Sequence, residues 1–192
     1  MRTARQRARG IRMKRLAGIL VMALFSAFAV SGQQGGASAN PVSDTLRQLL
    51  ARNAKNLTGA AEAMPADKYS YHPTPEQITF GHLMMHIAQS NTLLCSKISG
   101  TAAPADTGLK ETDGKEKLSA AIQASFTYCT AALANVDDSG LGNSITLFGN
   151  RQTTKAGAII SLANDWADHY SAAAMYLRLN GILPPTAQPP AK

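Results

Sequence analysis

The chain has 192 residues, of which 45% are hydrophobic, a length and composition that suit one domain with a single core. Its formal net charge of +7 comes from the first 15 residues, which hold seven Lys and Arg and no acidic residue. The remainder carries twelve basic and twelve acidic residues. Without a basic excess it lacks the charge that nucleic-acid binding requires, and a nucleic-acid partner is excluded.

The N-terminal segment predicts a secretory signal peptide. The basic stretch MRTARQRARGIRMKR precedes an apolar run from Leu16 to Val30, and small residues follow, which is the usual layout of such a signal. The run is shorter than the roughly 20 residues that cross a bilayer, although an uncleaved membrane anchor is the alternative. We expect cleavage after Gly32 or Ala39. The mature protein would be exported, periplasmic or secreted, and would have no further membrane segment.

Four segments with helical periodicity follow the leader, and in each one apolar residues recur every three or four positions. Ser43 is the predicted N-cap of the first segment, and Gly100 is the predicted C′ residue of the second. The third has an uninterrupted apolar stripe formed by Leu118, Ile122, Phe126, Cys129, Leu133 and Val136. The predicted helices cover residues 42–64, 79–99, 115–136 and 154–180.

Four amphipathic helices with two longer connections predict an all-α fold, a four-helix bundle over residues 41–186. The connection before the fourth helix contains a short apolar run, Ile145 to Phe148, between turn-forming residues. This run is either a small strand or a loop that covers one end of the bundle. Residues 187–192 are expected to form a disordered tail.

The chain has two cysteines, Cys95 and Cys129, on the apolar faces of the second and third predicted helices. In an exported protein they can form a disulfide, which would contribute about 3–4 kcal/mol to stability. Two buried free thiols are the alternative, and the sequence does not decide between them.

Two helices place polar side chains where their apolar residues lie. His82 and His86 are one turn apart on the second helix, and Asp165 and His169 are one turn apart on the fourth. A buried carboxylate needs a compensating partner, and a divalent cation such as zinc, held by imidazole and carboxylate, provides one. An Asp–His hydrogen bond in a metal-free core is the alternative.

The segments TFGHLMMHIAQSNTLLCSKISG and DHYSAAAMYLRLNGILPP, with YSYHPTPEQ before them, closely resemble the DinB-like superfamily of metal-binding four-helix bundles. In that family three histidines bind a divalent metal, one on the second helix and two at i,i+4 on the fourth. The resemblance therefore implies His86, Asp165 and His169 as metal ligands, with Asp165 at a position where the family usually has His. This ligand set is harder and more anionic than three imidazoles, so Ni, Mn or Fe are alternatives to Zn.

The resemblance implies either of two classes of function. The first is a metal-dependent transferase or hydrolase that acts on an unknown small molecule, and the wider superfamily includes thiol S-transferases and a thiol-dependent maleylpyruvate isomerase. Export argues against a cytosolic thiol as cosubstrate, and no recognisable catalytic motif identifies catalytic residues. The second class is a noncatalytic binding or stress-related bundle, able to form a homodimer, with a structural metal or none.

Overall fold

The computed structural model describes residues 38–189, and within them four helices form a bundle. A small antiparallel hairpin of two strands, β1 and β2, leads directly into the last helix. The elements are α1 (Pro41–Ala63), α2 (Phe80–Ser99), α3 (Gly114–Leu133), β1 (Ser144–Thr146), β2 (Gln152–Thr154) and α4 (Lys155–Leu179). Among these described helices, none combines the length and apolar character that a membrane crossing requires. The predicted leader up to residue 37, and residues 190–192 of the predicted tail, lie outside the described residues.

The four predicted helices are confirmed, with ends that differ by at most three residues from the expectation. All six residues of the α3 stripe are buried, and so are the apolar residues expected to face the core on α2 and α4. Gly100 ends α2 with a φ of 75°, in the left-handed conformation predicted for it. The apolar run before α4 begins in β1 and ends at Phe148 in the turn that follows, and the pairing of β1 with β2 was not predicted.

Side-chain contacts between α2 and α3 show that these two helices run in the same direction. Asn91 on α2 is hydrogen-bonded to Ser125 on α3, and one turn further along both helices Cys95 is joined to Cys129 by a disulfide. The Cα atoms of the two cysteines are 5.3 Å apart. The structure thus contains the disulfide, one of the two alternatives that the sequence left open.

The other helices complete an up–down–down–up bundle. Trp166 of α4 contacts Asn91 of α2, and further along α4 Tyr176 donates to the carbonyl of Ile78, so α4 is antiparallel to α2. Each of α1 and α2 packs against both α3 and α4. The connection over residues 100–113 therefore returns along the whole bundle. This is possible because a connection of 14 residues can span up to about 45 Å, whereas the 20-residue α2 is about 30 Å long.

The first turn of α1 is capped by a residue far away in sequence. The backbone amides of Val42 and Ser43 each lie 2.9 Å from the Asp138 carboxylate, and the Ser43 hydroxyl donates to it at 2.6 Å. Desolvation opposes its ionisation, but these hydrogen bonds hold the pKa of Asp138 below its usual value. The predicted N-cap at Ser43 is therefore wrong. The helix begins at Pro41, whose fixed φ suits the first turn and whose missing N–H needs no acceptor.

A buried polar chain crosses the bundle. The Trp166 indole N–H donates to the Asn91 Oδ1 atom at 2.6 Å, and the Asn91 amide donates to the Ser125 hydroxyl at 3.0 Å. Ser125 in turn donates to the carbonyl of Ile122 at 2.7 Å. Because each donor has an acceptor inside the core, this chain fixes the rotation of α2, α3 and α4 relative to one another.

The connection between α1 and α2 is held by the buried side chain of Tyr69. Its hydroxyl donates to the Ala61 carbonyl at 2.7 Å and lies 2.9 Å from the Ser119 hydroxyl, while its ring packs edge-on against Phe80. Burial raises the pKa of the Tyr69 phenol to about 12.

The disulfide should be a major source of stability. We expect the double variant Cys95→Ala/Cys129→Ala to lose about 3–4 kcal/mol of unfolding free energy, since the bond joins residues separated by 34 positions. Urea unfolding followed by circular dichroism measures this loss. Wild type under reducing conditions should match the variant, and the variant should not respond to reductant. Equal stability of the variant and the oxidised wild type would contradict this role.

The buried phenol should make stability depend on alkaline pH. Because the folded pKa is about 12 and the ordinary value is 10, the folded state keeps a proton that the unfolded state loses. Stability conferred by this group is complete below pH 10 and is lost as pH rises through 12. Between about pH 9 and about pH 11, wild type should lose about 1 kcal/mol more than Tyr69→Phe, as measured by denaturant unfolding. Equal losses would refute the assignment.

Candidate metal centre

The antiparallel packing of α2 and α4 brings His86, Asp165 and His169 together. One donor atom from each residue lies within 4.8 Å of the donors from the other two. The two imidazole rings face each other, with centroids 4.8 Å apart and planes tilted by 30°. The three residues implied as ligands by the resemblance thus form one cluster at the boundary between core and solvent.

The orientation of His169 is set by its own helix. Its Nδ1 atom lies 2.5 Å from the carbonyl oxygen of Asp165, one turn earlier. Because a carbonyl oxygen only accepts hydrogen bonds, Nδ1 carries the proton and the lone pair of Nε2 is left available. A backbone carbonyl that fixes the imidazole in this way is typical of histidine metal ligands.

Asp165 is the residue that most needs a partner. Its Oδ1 atom lies 3.5 Å from His169 Nδ1, but Oδ2 is buried and accepts no hydrogen bond from the described part of the chain. Burial raises the pKa of the Asp165 carboxyl, although the nearby His169 and His86 imidazoles oppose the shift. A carboxylate in this state is costly unless a cation or a proton compensates it.

His86 completes the cluster as a neutral base. Burial lowers the pKa of its imidazole and the neighbouring His169 lowers it further, while Asp165 acts in the opposite direction. The ring therefore favours the neutral form, which is the form that binds metals. Its Nε2 atom lies 3.3 Å from the Ser90 hydroxyl, one turn along α2.

The cluster fits a divalent cation. Two imidazoles and one carboxylate are suitable ligands for zinc and for other first-row divalent metals, and an orphaned carboxylate oxygen lies among them. Donors around one tetrahedral ion with bonds of about 2.1 Å are about 3.4 Å apart. Side-chain movements on the order of 1 Å therefore suffice to close the present spacing of up to 4.8 Å.

The other histidine of α2 and several further side chains lie outside the cluster. His82 is turned toward Glu111, with its Nδ1 atom 2.5 Å from the carboxylate, and it is not part of the cluster. His72 and Asp168 are exposed, and the Trp166 side chain is buried in the core. The i,i+4 partner of His86 thus contacts a residue of the α2–α3 connection instead.

A cleft of about 420 Å³ opens onto the cluster. Phe148 and Arg151, at the tip of the β1–β2 hairpin, line it and were not identified from the sequence as site residues. The sequence FGNR, which predicts a tight turn, was the feature that could have drawn attention to them. The other lining residues are His86, Gln89, Ser90, Leu93, Leu94, Ser161 and Asp165.

A somewhat larger cavity of about 460 Å³ lies on the other side of α2, against α3 and residues 103–109. It shares Gln89 and Leu93 with the cleft but contains neither histidine nor cysteine. Its walls are mostly apolar, and it lacks an imidazole such as that of His86, which lines the cleft.

The DinB superfamily model matches residues 49–172 of the chain. No curated protein matches the chain. Solved structures with the same fold include two proteins of Bacillus subtilis and one isomerase. A DinB-like protein, YjoA of Bacillus subtilis, is 24% identical, with 75% of this chain and 98% of that one covered at a TM-score of 0.60.

YfiT of Bacillus subtilis, a probable metal-dependent hydrolase with an unusual four-helix bundle topology, is 17% identical. The match covers 73% of this chain and 88% of YfiT at a TM-score of 0.55. A mycothiol-dependent maleylpyruvate isomerase is 13% identical, with 67% of this chain and 59% of that one covered at a TM-score of 0.55. At these identities the likeness shows the fold alone.

Replacing the orphaned carboxylate should separate stability from metal binding. In chelator-treated protein, Asp165→Asn should raise the unfolding free energy by about 1 kcal/mol, because a desolvated charge is removed. The same variant should lose the stabilisation that added zinc gives to wild type. Thermal unfolding with and without zinc measures both effects. Asp168→Asn, an exposed acid on the same helix, is the matched control, and an identical response of the two variants would refute the prediction.

Proposed function

The chain belongs to the DinB superfamily, and we propose that it is an exported, divalent-metal-dependent hydrolase that acts on a small molecule. Its metal ligands are His86, Asp165 and His169. The observation that carries the proposal is the buried Asp165 Oδ2 atom without a hydrogen-bond partner, next to two imidazoles at the end of an open cleft. Three protein ligands leave coordination positions open, as in catalytic metal sites.

In the proposed reaction, activation of the reactants comes from the ion, and the side chains of the protein orient the ligands and contact the substrate. A divalent cation supplies Lewis-acid activation of a water molecule and of an acyl or phosphoryl group. The Nδ1–H of His169 is held by the Asp165 carbonyl, which keeps that imidazole in one tautomer and one orientation. Ser90 and Ser161 line the cleft with hydroxyl groups that are suited to hydrogen-bond a substrate, and Leu93 and Leu94 provide apolar walls.

Hydrolysis is a better match than thiol transfer for the compartment that we propose. The predicted signal peptide and the Cys95–Cys129 disulfide both support an oxidising location, periplasmic or extracellular. Low-molecular-weight thiols are scarce there, whereas water is always available. The probable hydrolase activity of YfiT, which has the same fold, agrees with this choice.

We propose zinc as the metal, since two imidazoles and one carboxylate form a common catalytic zinc set. The carboxylate at Asp165 also suits Mn, Fe or Ni, because oxygen ligands shift the preference toward harder ions. The noncatalytic alternative rests on the 3.5 Å distance between Asp165 Oδ1 and His169 Nδ1, a direct contact between the two side chains that needs no metal.

Metal content decides between these functions. Protein purified without an affinity tag should contain about one equivalent of divalent metal, measured by mass spectrometry, and chelation should lower its melting temperature. His86→Ala should abolish both effects, whereas His72→Ala, which removes an exposed histidine, should change neither. Asp165→His should alter the preferred metal without abolishing binding.

Hydrolytic activity is then screened with carboxyl esters, lactones, amides and phosphoesters on metal-loaded wild type and on His86→Ala. Activity confined to the metal-loaded wild type supports the proposal. If the protein contains no metal and chelator does not change its melting temperature, the hydrolase proposal is refuted and the noncatalytic alternative is favoured.

A further inference from the structure

The tip of the β1–β2 hairpin forms one rim of the cleft and is built as a rigid turn. Gly149 and Asn150 have φ values of 63° and 57°, as in the type I′ turns that suit the twist of hairpins. The Arg151 amide donates to the Phe148 carbonyl at 3.3 Å, and the adjacent Leu147 is buried. Because β2 continues directly into α4, this tip is held close to the helix that carries two of the proposed ligands.

Arg151 at this tip has no acidic partner in the part of the chain that the structure describes. Its guanidinium lies 5.1 Å from the centroid of the Phe148 ring, and no Asp or Glu within residues 38–189 forms an ion pair with it. Stacking on an aromatic face occupies the plane of the guanidinium but leaves its N–H edges available. Phe148 is 59% exposed, which is unusual for so large an apolar side chain. An unpaired cation and an exposed ring thus face the same cleft.

The charge balance of the cleft favours an anion. Asp165 is its single acidic lining residue, and Gln89, Ser90 and Ser161 are neutral. A divalent cation bound by Asp165 keeps one positive charge, and Arg151 adds a second, so the loaded cleft would have an excess of two positive charges. An anionic ligand would reduce this excess, and its negative group would supply the counterion that Arg151 lacks in the cleft.

We propose that Arg151 is a specificity-determining residue that binds a carboxylate group of the substrate, while Phe148 packs against the adjoining apolar part of the same molecule. The substrate class is therefore a small organic carboxylate with an apolar body, of a size that fits a cleft of about 420 Å³. A planar carboxylate accepts two parallel hydrogen bonds from one guanidinium edge. The assignment of this ligand as a substrate rests on the proposed hydrolase function, but its binding by Arg151 does not.

The test uses benzoate as the probe and benzamide as its neutral counterpart, titrated calorimetrically into the full mature protein. The measurement is made on zinc-loaded protein and again after dialysis against EDTA, which removes any direct contact between benzoate and metal. Wild type should bind benzoate in the millimolar range in both forms. Arg151→Gln should weaken benzoate binding at least about tenfold, because a pair of charge-assisted hydrogen bonds is lost.

Arg52→Gln is the matched control, since it removes the same charge from an exposed position on α1. This variant should bind benzoate as wild type does. Arg151→Lys should give intermediate affinity, because the charge remains but the paired donors are lost. Benzamide should bind more weakly than benzoate and should be insensitive to Arg151→Gln. Amide NMR spectra of the variants show that the fold is retained.

Two results would overturn the inference: no benzoate binding by wild type, or equal benzoate affinity in wild type and Arg151→Gln. Its failure is distinguishable from failure of the hydrolase proposal. If the protein binds metal but Arg151→Gln does not change its benzoate affinity, the metal centre stands and the anion site is refuted. If benzoate binding depends on Arg151 but the protein takes up no metal, the anion site stands and the metal-dependent hydrolase is refuted.

Discussion

The hydrogen bond from the Trp166 indole to the Asn91 side chain determines how α4 faces α2. Both residues are buried, so breaking the bond leaves an unsatisfied polar group in the core, at a cost of about 1–3 kcal/mol. Asn91 also donates to Ser125, so one amide aligns three helices. His86 lies five residues before Asn91 and His169 three after Trp166 on antiparallel helices. The same alignment therefore places the two imidazoles opposite each other.

The other buried polar groups of the bundle differ from Asp165 in their hydrogen bonding. Asn91, Ser125 and Ser43 are buried, and each forms hydrogen bonds within the protein. Among the described residues, Asp165 Oδ2 is the single buried side-chain oxygen or nitrogen without a partner. Folded proteins rarely leave such an atom uncompensated, and the exceptions occur often at functional sites. The uncompensated oxygen lies where a cation would serve three residues at once.

The sequence was most informative where a physical requirement repeats along the chain. Burial of one helix face repeats every three or four residues, so the apolar stripe from Leu118 to Val136 predicted both α3 and its orientation toward the core. The i,i+4 spacing of Asp165 and His169 likewise placed both on one face of α4. The choice of His86 over His82 came from the family resemblance; in the structure His86 lies beside Asp165 and His169, whereas His82 contacts Glu111.

Features that depend on distant partners could not be predicted in this way. Periodicity identifies the buried face of a helix but not its neighbour, so the parallel arrangement of α2 and α3 was not evident. The cap of α1 comes from Asp138, which lies 95 residues beyond Ser43, and no local pattern links the two. Arg151 and Phe148 lie in a short turn whose importance depends on the cleft that it borders.

The position of the disulfide has a mechanical consequence for the cleft. Cys95 ties α2 covalently to α3, and the cleft wall that contains His86 shares this reinforcement. The opposite wall, α4 with its hairpin, is held to α2 by noncovalent contacts such as the Trp166–Asn91 bond. If an ion drew the donor atoms together, the wall without a covalent tie would be the easier one to shift, and Arg151 would move with it. Occupancy of the cluster and the width of the cleft would then be mechanically coupled.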